Sequence, residues 1–279
     1  MSGLDPRRTP FDGTTALEVL RGAVPAARFT PGRAAQVVWP ETPLLRRPGG
    51  AIDKTLLMGE PVTVISEGAG AAFVQSGWDD YVGYADPAAL GPARAATHVA
   101  TARGSHLYTE PDFKSPPRFA VSLGTAHSVT GQTDGFLETP HGFLPVQHAA
   151  ALPTRLPPPE TARRLRGTPY LWGGNSGTGI DCSGLVQLAC RLAGIVAPRD
   201  SDQQAAELGT SLPPDAALQA GDLVFWKGHV GMMVSAADLV HANAHHMAVA
   251  EEPLSEAVAR IAANEFGAIT DRRRLPEWA

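Results

Sequence analysis

The segment from Asp181 to Val186, DCSGLV, constrains the fold of this chain more than any other. A loop rich in Gly, Asn, Ser and Thr runs directly into Cys182, one of only two cysteines in 279 residues. Apolar residues then recur at helical spacing, with Asp181 at the N-cap position and Gly194 just past the end. The pattern predicts that Cys182 begins a helix.

A cysteine at a helix start has a particular chemistry. The first backbone N–H groups of a helix have no partner within it, and together with the helix dipole they favour an anion. We therefore expect a lowered thiol pKa for Cys182, and N–H groups able to hold the oxyanion of an acyl-transfer intermediate. The competing interpretation is a buried structural thiol, which is the common state of free cysteines and the expectation for Cys190.

Two histidines are candidates for the base that such a thiol needs. Residues 221–235, GDLVFWKGHVGMMVS, predict two buried strands joined by a turn at the Lys-Gly pair, and His229 begins the second strand. His241 lies on the next predicted strand, DLVHANA. Because side chains on neighbouring strands can stack, we predict Cys182 as nucleophile, His229 as base and His241 as the residue that orients it.

Two other interpretations of the histidines remain open. His229 and His241 are, in the first, hydrogen-bonded core residues. In the second, His241 binds a metal together with His245, His246 and a cysteine, although zinc sites usually show tighter Cys and His spacing. We expect His245 and His246 to form an exposed loop pair and the protein to need no metal or other cofactor.

Together these segments resemble the NlpC/p60 papain-like cysteine peptidases, which cut bacterial cell-wall peptides. The resemblance is carried, in order, by PYLWGG, DCSGLVQ, PRDSDQQ, GDLVFW, GHVGM and VHAN. It implies an α+β catalytic domain of helices and an antiparallel sheet. The preceding sequence resembles a pair of bacterial SH3-like domains, a combination similar to the γ-D-glutamyl-L-diamino acid endopeptidases that act on peptides with a free N-terminal L-Ala.

The resemblance also implies which side chains meet the substrate. A tyrosine near the nucleophile aids substrate or oxyanion binding, a tryptophan lines the cleft, and carboxylates and hydroxyls hold the ammonium and backbone of L-Ala. An N-cap is the simpler interpretation of Asp181. In this chain the implied residues are Tyr170, Trp172, Asp181, Ser183, Asp200 and Ser201.

Two further substrate contacts are implied in the first β module. Glu60 in LMGE and Tyr81 in DYVGY stand in motifs similar to those from which the subgroup closes the L-Ala side of its cleft. Without the resemblance, both would be interpreted as surface residues of a small barrel.

The domain organisation follows from turn residues, a weak repeat and a linker. Short strand patterns between Gly and Pro breaks recur with a period near 60 residues, so that LMGEPVTVIS matches SLGTAHSVTG and YVGYADPAAL matches GFLPVQHAAAL. LPTRLPPPE, residues 152–160, predicts a stiff polyproline II linker. We predict an N-terminal arm at 1–35, SH3-like β-barrels at 36–91 and 92–152, and the peptidase domain at 153–279.

Composition limits the partners. The hydrophobic content of 43% is that of a globular protein, and the formal charge of −5 argues against nucleic acid or an anionic membrane. There is no transmembrane run or signal-peptide core, and the two cysteines lie too far apart on one predicted helix to bridge. We therefore expect a cytoplasmic monomer with free thiols.

The sequence thus predicts a hydrolase of the γ-D-glutamyl–diamino acid bond in murein peptides of the L-Ala-γ-D-Glu-diaminopimelate type, acting in peptidoglycan peptide recycling. Two alternatives remain open. One keeps the Cys-His-His set but acts as an amidase, transpeptidase or acyltransferase on another substrate. The other is a non-catalytic protein that binds wall peptides.

Overall fold

The computed structural model describes residues 3–278, which divide into two compact units between Leu152 and Pro153. The first unit is built of short strands with 3-10 turns between them. Its strands are β1 (Thr15–Leu17), β2 (Arg28–Thr30), β3 (Arg33–Val37), β4 (Glu41–Leu45), β5 (Ile52–Leu57), β6 (Pro61–Gly68), β7 (Ala71–Ser76), β8 (Val82–Ala85), β9 (Leu90–Pro92), β10 (His98–Ala100), β11 (Gly104–Tyr108), β12 (Pro117–Ser122), β13 (Ala126–His127), β14 (Gly131–Thr133), β15 (Phe136–Thr139), β16 (Gly142–Pro145) and β17 (Ala149–Ala151).

The strand order in the first unit displays the repeat that the sequence predicts. The first half forms one sheet in the order β5-β4-β8-β7-β6-β3-β9. The second half forms β12-β11-β16-β15-β14 and β13-β10-β17, which is the same order with one strand divided in two. Both halves turn at a glycine of positive φ, Gly59 and Gly124, and both end with a strand, a 3-10 turn and a strand.

The residues before the first repeat form a small structure of their own. β1 and β2 pair in parallel, and the LEVLRG segment contributes a 3-10 turn at Glu18–Leu20. The arm is tied to the first sheet, since Val82 donates its backbone N–H to the carbonyl of Arg7 at 2.8 Å.

Glu60 and Tyr81 lie inside the first unit, which corrects the interpretation of both as surface residues. Glu60 is completely buried, and its Oε1 accepts from Lys54 Nζ at 2.7 Å and from Ser76 Oγ at 2.5 Å. Tyr81 is 3% exposed and belongs to the apolar core of the first sheet. The Glu60 carboxylate is occupied by an internal cation, because a buried charge requires a partner.

The second unit combines helices with one antiparallel sheet, so that the α+β prediction is confirmed for this part. The sheet order is β18-β23-β19-β20-β21-β22. Within residues 3–278 no helix has the length and apolarity needed to cross a bilayer. The elements of this unit are α1 (Pro158–Arg164), α2 (Cys182–Leu192), α3 (Ser201–Glu207), β18 (Thr210–Ser211), β19 (Leu223–Trp226), β20 (His229–Met233), β21 (Asp238–Asn243), β22 (Ala248–Pro253), α4 (Leu254–Asn264) and β23 (Asp271–Arg274).

The linker differs from the predicted polyproline segment at its end. α1 begins at Pro158, so Pro158 and Pro159 occupy the first helical positions instead of extending the linker. Proline is tolerated there because its missing N–H has no helical partner in any case. The preceding residues are bound to α2, where Thr154 Oγ1 donates to the carbonyl of Leu192 at 2.8 Å.

Candidate active site

Cys182 is the first residue of α2, as the sequence predicts. Asp181 is the N-cap, with extended backbone and a side chain that accepts from the Gly184 N–H, and Gly194 follows the helix at φ 80°. The Cys182 side chain is buried, with 8% of the residue exposed. The backbone N–H groups of Val230 and Ser183 lie close enough to the sulfur to lower its pKa. α2 packs against β20, so Cys182 lies near the strand that His229 begins.

The protonation of Cys182 differs from the prediction. Burial, and after it the neighbouring Asp181 carboxylate, raises the pKa of the thiol to about 12. The N–H groups of Val230 and Ser183 and the Arg199 guanidinium act in the opposite direction but do not offset the burial. Cys182 is therefore a thiol at neutral pH, because loss of water around the sulfur outweighs the helix-start effect on its pKa.

His229 lies on β20 and contacts His241 on β21. His229 Nε2 lies 2.8 Å from His241 Nδ1, and both residues are buried, 3% and 0% exposed. Rings of Phe266 and Trp226 pack around His229, the first stacked at a centroid distance of 5.3 Å. Burial lowers the pKa of His229 to about 3, so its imidazole is neutral and able to accept a proton.

Sequence reasoning missed the residue that lies behind the two histidines. His241 Nε2 is 2.7 Å from Oε1 of Glu252, whose own pKa is held at about 2 chiefly by this hydrogen bond. Glu252 lies on β22, which pairs with β21, the strand that carries His241. No sequence motif marked Glu252, since a glutamate in an AVAEEP strand is usually a solvated residue.

Asp181 is paired with Arg199, so the chain itself supplies a cation to the carboxylate that is predicted to receive the substrate ammonium. Arg199 Nη2 donates to Asp181 Oδ2 at 2.6 Å and Nη1 to Oδ1 at 2.9 Å. Backbone N–H groups of Gly173 and Gly184 donate to the same two oxygens. With both oxygens holding protein donors and the guanidinium buried at 1% exposure, the acceptor capacity of the carboxylate is used.

Arg199 also contacts the predicted substrate residue Ser183. Its Nη1 donates to Ser183 Oγ at 2.8 Å, while that hydroxyl donates to Asp181 Oδ1 at 3.3 Å. The arginine stands within PRDSDQQ, where sequence reasoning selected only the two residues after it. A signal was available, because two carboxylates predicted for one site, Asp181 and Asp200, repel each other unless a cation lies close by.

Tyr170 lies near Cys182, whereas Trp172 is largely exposed. Burial raises the pKa of the Tyr170 phenol, and the Asp181 carboxylate adds to the rise, so the hydroxyl keeps its proton at neutral pH. Trp172 is 67% exposed. The structure therefore brings Tyr170 to the thiol and leaves the tryptophan ring available to a ligand.

Asp200 and Ser201 lie at the start of the next helix. Asp200 is the N-cap of α3 and forms a capping box with Gln203, and Ser201 is the first helical residue. Both are half-buried. The backbone of this helix start, like that of α2, presents N–H groups without helical partners.

His245 and His246 form the exposed pair that the sequence predicts. Their rings contact edge to face at 4.8 Å, and His246 Nδ1 lies 3.0 Å from Asn243 Oδ1. Within the described range 3–278, no group of three or more His, Cys, Asp or Glu side chains is arranged to hold a metal ion. Both cysteines are free thiols.

Comparison with known proteins identifies two parts of the chain. Residues 167–263 match the NlpC/P60 family, and residues 44–90 match the bacterial dipeptidyl-peptidase Sh3 domain. A gamma-D-glutamyl-L-lysine dipeptidyl-peptidase of Bacillus subtilis is 40% identical over 90 residues, which are 29% of this chain and 30% of that protein. The bifunctional muramidase/DL-endopeptidase CwlT of the same species is 40% identical over 91 residues, 29% of this chain and 27% of that protein.

A solved structure extends the likeness of the fold to most of the chain. An NlpC/P60 family protein from Bacillus cereus has a TM-score of 0.74 and 20% identity, and the superposition covers 88% of this chain and 100% of that one. The aligned segments span less than a third of the two Bacillus subtilis relatives.

Proposed function

Because residues 167–263 form an NlpC/P60 domain, we propose that this chain is a papain-like cysteine peptidase that hydrolyses the γ-D-glutamyl–diamino acid bond of cell-wall peptides. The observation that carries the proposal is the position of the Cys182 sulfur. It lies at the start of α2, and the backbone N–H of Val230, the residue next to His229, is close enough to lower its pKa. This position supports a site in which a nucleophile, a neutral base and an orienting imidazole act together.

The protonation states of Cys182 and His229 determine the order of the proton transfers in the proposed reaction. The Cys182 thiol passes its proton to neutral His229 as the sulfur attacks the carbonyl carbon of the γ-linked D-Glu. The tetrahedral intermediate then expels the amine of the diamino acid, which takes its proton from His229. Water adds to the thioester, giving up a proton to His229, and collapse of the second intermediate returns a proton to sulfur and releases the L-Ala-γ-D-Glu carboxylate.

Donors around the sulfur stabilise the developing oxyanion. The backbone N–H at the start of α2 and the Tyr170 hydroxyl are the candidates, because both lie beside Cys182 and carry hydrogens at neutral pH. Arg199 has a structural part in this step. It holds the Asp181 carboxylate, and with it the helix start, in place.

Substrate contacts are proposed for the residues around this helix start. Ser183, Asp200 and Ser201 bind the backbone and free ammonium of L-Ala, and Trp172 lines the cleft. Asp200 is the carboxylate for the ammonium, since the Asp181 oxygens are occupied by Arg199. Glu60 and Tyr81 are left out of the proposed site, because they lie in the interior of the first unit.

The first unit is proposed to hold two SH3-like modules. Residues 44–90 match such a domain, and the second half repeats the strand order of the first with one strand interrupted. The proposed role of the enzyme is the recycling of wall peptides, because a requirement for a free L-Ala amine selects peptides already released from the glycan.

The test is cleavage of L-Ala-γ-D-Glu-diaminopimelate beside its N-acetylated form. We expect the free peptide alone to be cut, giving L-Ala-γ-D-Glu. The Cys182→Ala variant is expected to lose turnover, and Cys190→Ala, which removes the other buried thiol, to keep it. Cleavage that survives iodoacetamide and stops with a chelator contradicts the cysteine mechanism. Amide transfer to added amines in place of hydrolysis identifies an acyltransferase, and binding without turnover identifies a wall-peptide-binding protein.

A further inference from the structure

A continuous line of polar contacts runs from the catalytic pair to the surface of α4. His229 Nε2 lies 2.8 Å from His241 Nδ1, and His241 Nε2 lies 2.7 Å from Glu252 Oε1. Arg260 Nη2 donates to the same glutamate oxygen at 2.5 Å. The line crosses three neighbouring elements, β20, β21 and β22, and ends on α4.

The Glu252 carboxylate on this line determines which nitrogen of each histidine ring carries hydrogen. Ionised Glu252 only accepts hydrogen bonds, so Nε2 of His241 must be the donor. A neutral His241 then has an unprotonated Nδ1, which accepts from Nε2 of His229. The hydrogen of neutral His229 is thus fixed on Nε2, and its Nδ1 is left with the free electron pair.

The glutamate is itself held by a cation and a second carboxylate. Arg260 bridges Glu252 and Glu265, with Nη1 2.6 Å from Glu265 Oε1. The residue after Glu265 is Phe266, whose ring stacks on His229 with an interplanar angle of 14°. Arg260 therefore ties the end of α4 to the carboxylate and to the ring that covers His229.

We propose that Glu252, clamped by Arg260, is a positioning residue that fixes the tautomers of His241 and His229 so that Nδ1 of His229 is the base for the Cys182 thiol. The inference rests on the proposed peptidase function. Without the carboxylate, both imidazoles exchange tautomers, and a fraction of His229 presents an N–H to the thiol instead of a lone pair. This loss acts on kcat and leaves substrate affinity unchanged.

The neighbouring residue gives a matched control. Glu251 stands beside Glu252 on β22 but pairs with Arg163 at 2.7 Å and with Arg166 at 3.1 Å. Glu251→Met removes a partly buried carboxylate and two ion pairs from the same strand without reaching either histidine. Any effect that Glu252→Met shares with Glu251→Met is therefore general to the strand.

The experiment measures kcat, KM and the ¹⁵N shifts of the histidine rings in the unliganded, full-length protein. We expect Glu252→Met to lower kcat at least about tenfold, below the roughly 10⁴-fold loss that a wrong tautomer causes in a Ser-His-Asp triad. KM should stay within twofold, and the ring nitrogens of His241 should shift toward a mixture of tautomers. Glu252→Gln should keep the wild-type tautomer and most of kcat, because Arg260 holds its amide oxygen toward His241.

Two results overturn the proposal. One is a His241 ring spectrum in Glu252→Met identical to that of the wild type. The other is an equal fall of kcat in Glu251→Met. If the wild-type protein cuts none of the peptides, the peptidase assignment fails, yet the ring spectra of the three variants still decide whether Glu252 fixes the tautomers.

Discussion

Asp181 and Arg199 form a two-point ion pair at the start of α2, with Nη2 2.6 Å from Oδ2 and Nη1 2.9 Å from Oδ1. The pair places a neutralised carboxylate one residue before Cys182. It keeps the N-cap of α2 in a buried position, where an unpaired charge is strongly unfavourable.

Replacing Arg199 by Met should destabilise the second unit by about 3–5 kcal/mol, because it leaves a buried charge without its partner. Hydrogen exchange of the α2 amides measures the change. Arg191→Met, a half-buried arginine on the same helix, is the control, with an expected effect below about 1 kcal/mol. Asp181→Asn combined with Arg199→Met should recover part of the loss. A double variant no more stable than Arg199→Met alone is inconsistent with an ion-pair origin.

Cys182 should be protonated at neutral pH, so that its rate of alkylation follows the small fraction of thiolate. Burial raises the pKa of Cys182 to about 12 and lowers that of His229 to about 3, so the pair is neutral between these values. Alkylation by iodoacetamide in Cys190→Ala protein should therefore rise steadily with pH from 6 to 9.5, about tenfold per pH unit. Peptide mass spectrometry over time gives the rate. A rate independent of pH across this range is the signature of a thiolate–imidazolium pair and contradicts the neutral pair.

Lys54 should be essential to the stability of the first unit. Its Nζ lies 2.7 Å from Glu60 and 2.8 Å from Asp79, and Lys54 and Glu60 are fully buried. Lys54→Met leaves two carboxylates facing each other, at an expected cost of about 3–5 kcal/mol. Hydrogen exchange across β5, β6 and β7 measures it, with exposed Lys114→Met as the control. If Lys54→Met is as stable as the control, the buried network does not hold this sheet together.

The first unit should lose stability in mild acid through His127. Burial lowers the pKa of this ring to about 4, while in the unfolded chain it is near 6.5. The unfolded state therefore binds the proton first, so stability is complete above about pH 6.5 and falls between pH 6.5 and 4, by about 3 kcal/mol in all. The measurement is hydrogen exchange of β10 and β13 against pH.

His127→Gln should flatten this pH dependence, because glutamine does not titrate and keeps a hydrogen-bonding group for Thr125. The exposed His106→Gln is the matched control and should leave the profile as in the wild type. A profile that stays steep in His127→Gln assigns the acid sensitivity to another group, such as half-buried His141, whose pKa is also lowered.

Local sequence determined the helices and strands around the site, and it placed Cys182 and His229 at the first residues of α2 and β20. An aspartate followed by Cys182 and apolar residues at helical spacing is enough to set a capped helix start, and a Lys-Gly turn is enough to set the hairpin that begins at His229. Turn residues that repeat in the same order likewise predicted two similar halves in the first unit. These signals act over a few residues, so they are visible without the fold.

Tertiary structure alone decided which charges meet and how the groups titrate. Arg199 and Glu252 became partners of Asp181 and His241 through packing of segments 18 and 11 residues apart, and Glu60 was turned inward to Lys54. The thiol pKa moved against the helix-start expectation for the same reason. Desolvation depends on all the neighbours that the fold places around a group, whereas helix position depends only on the residues beside it.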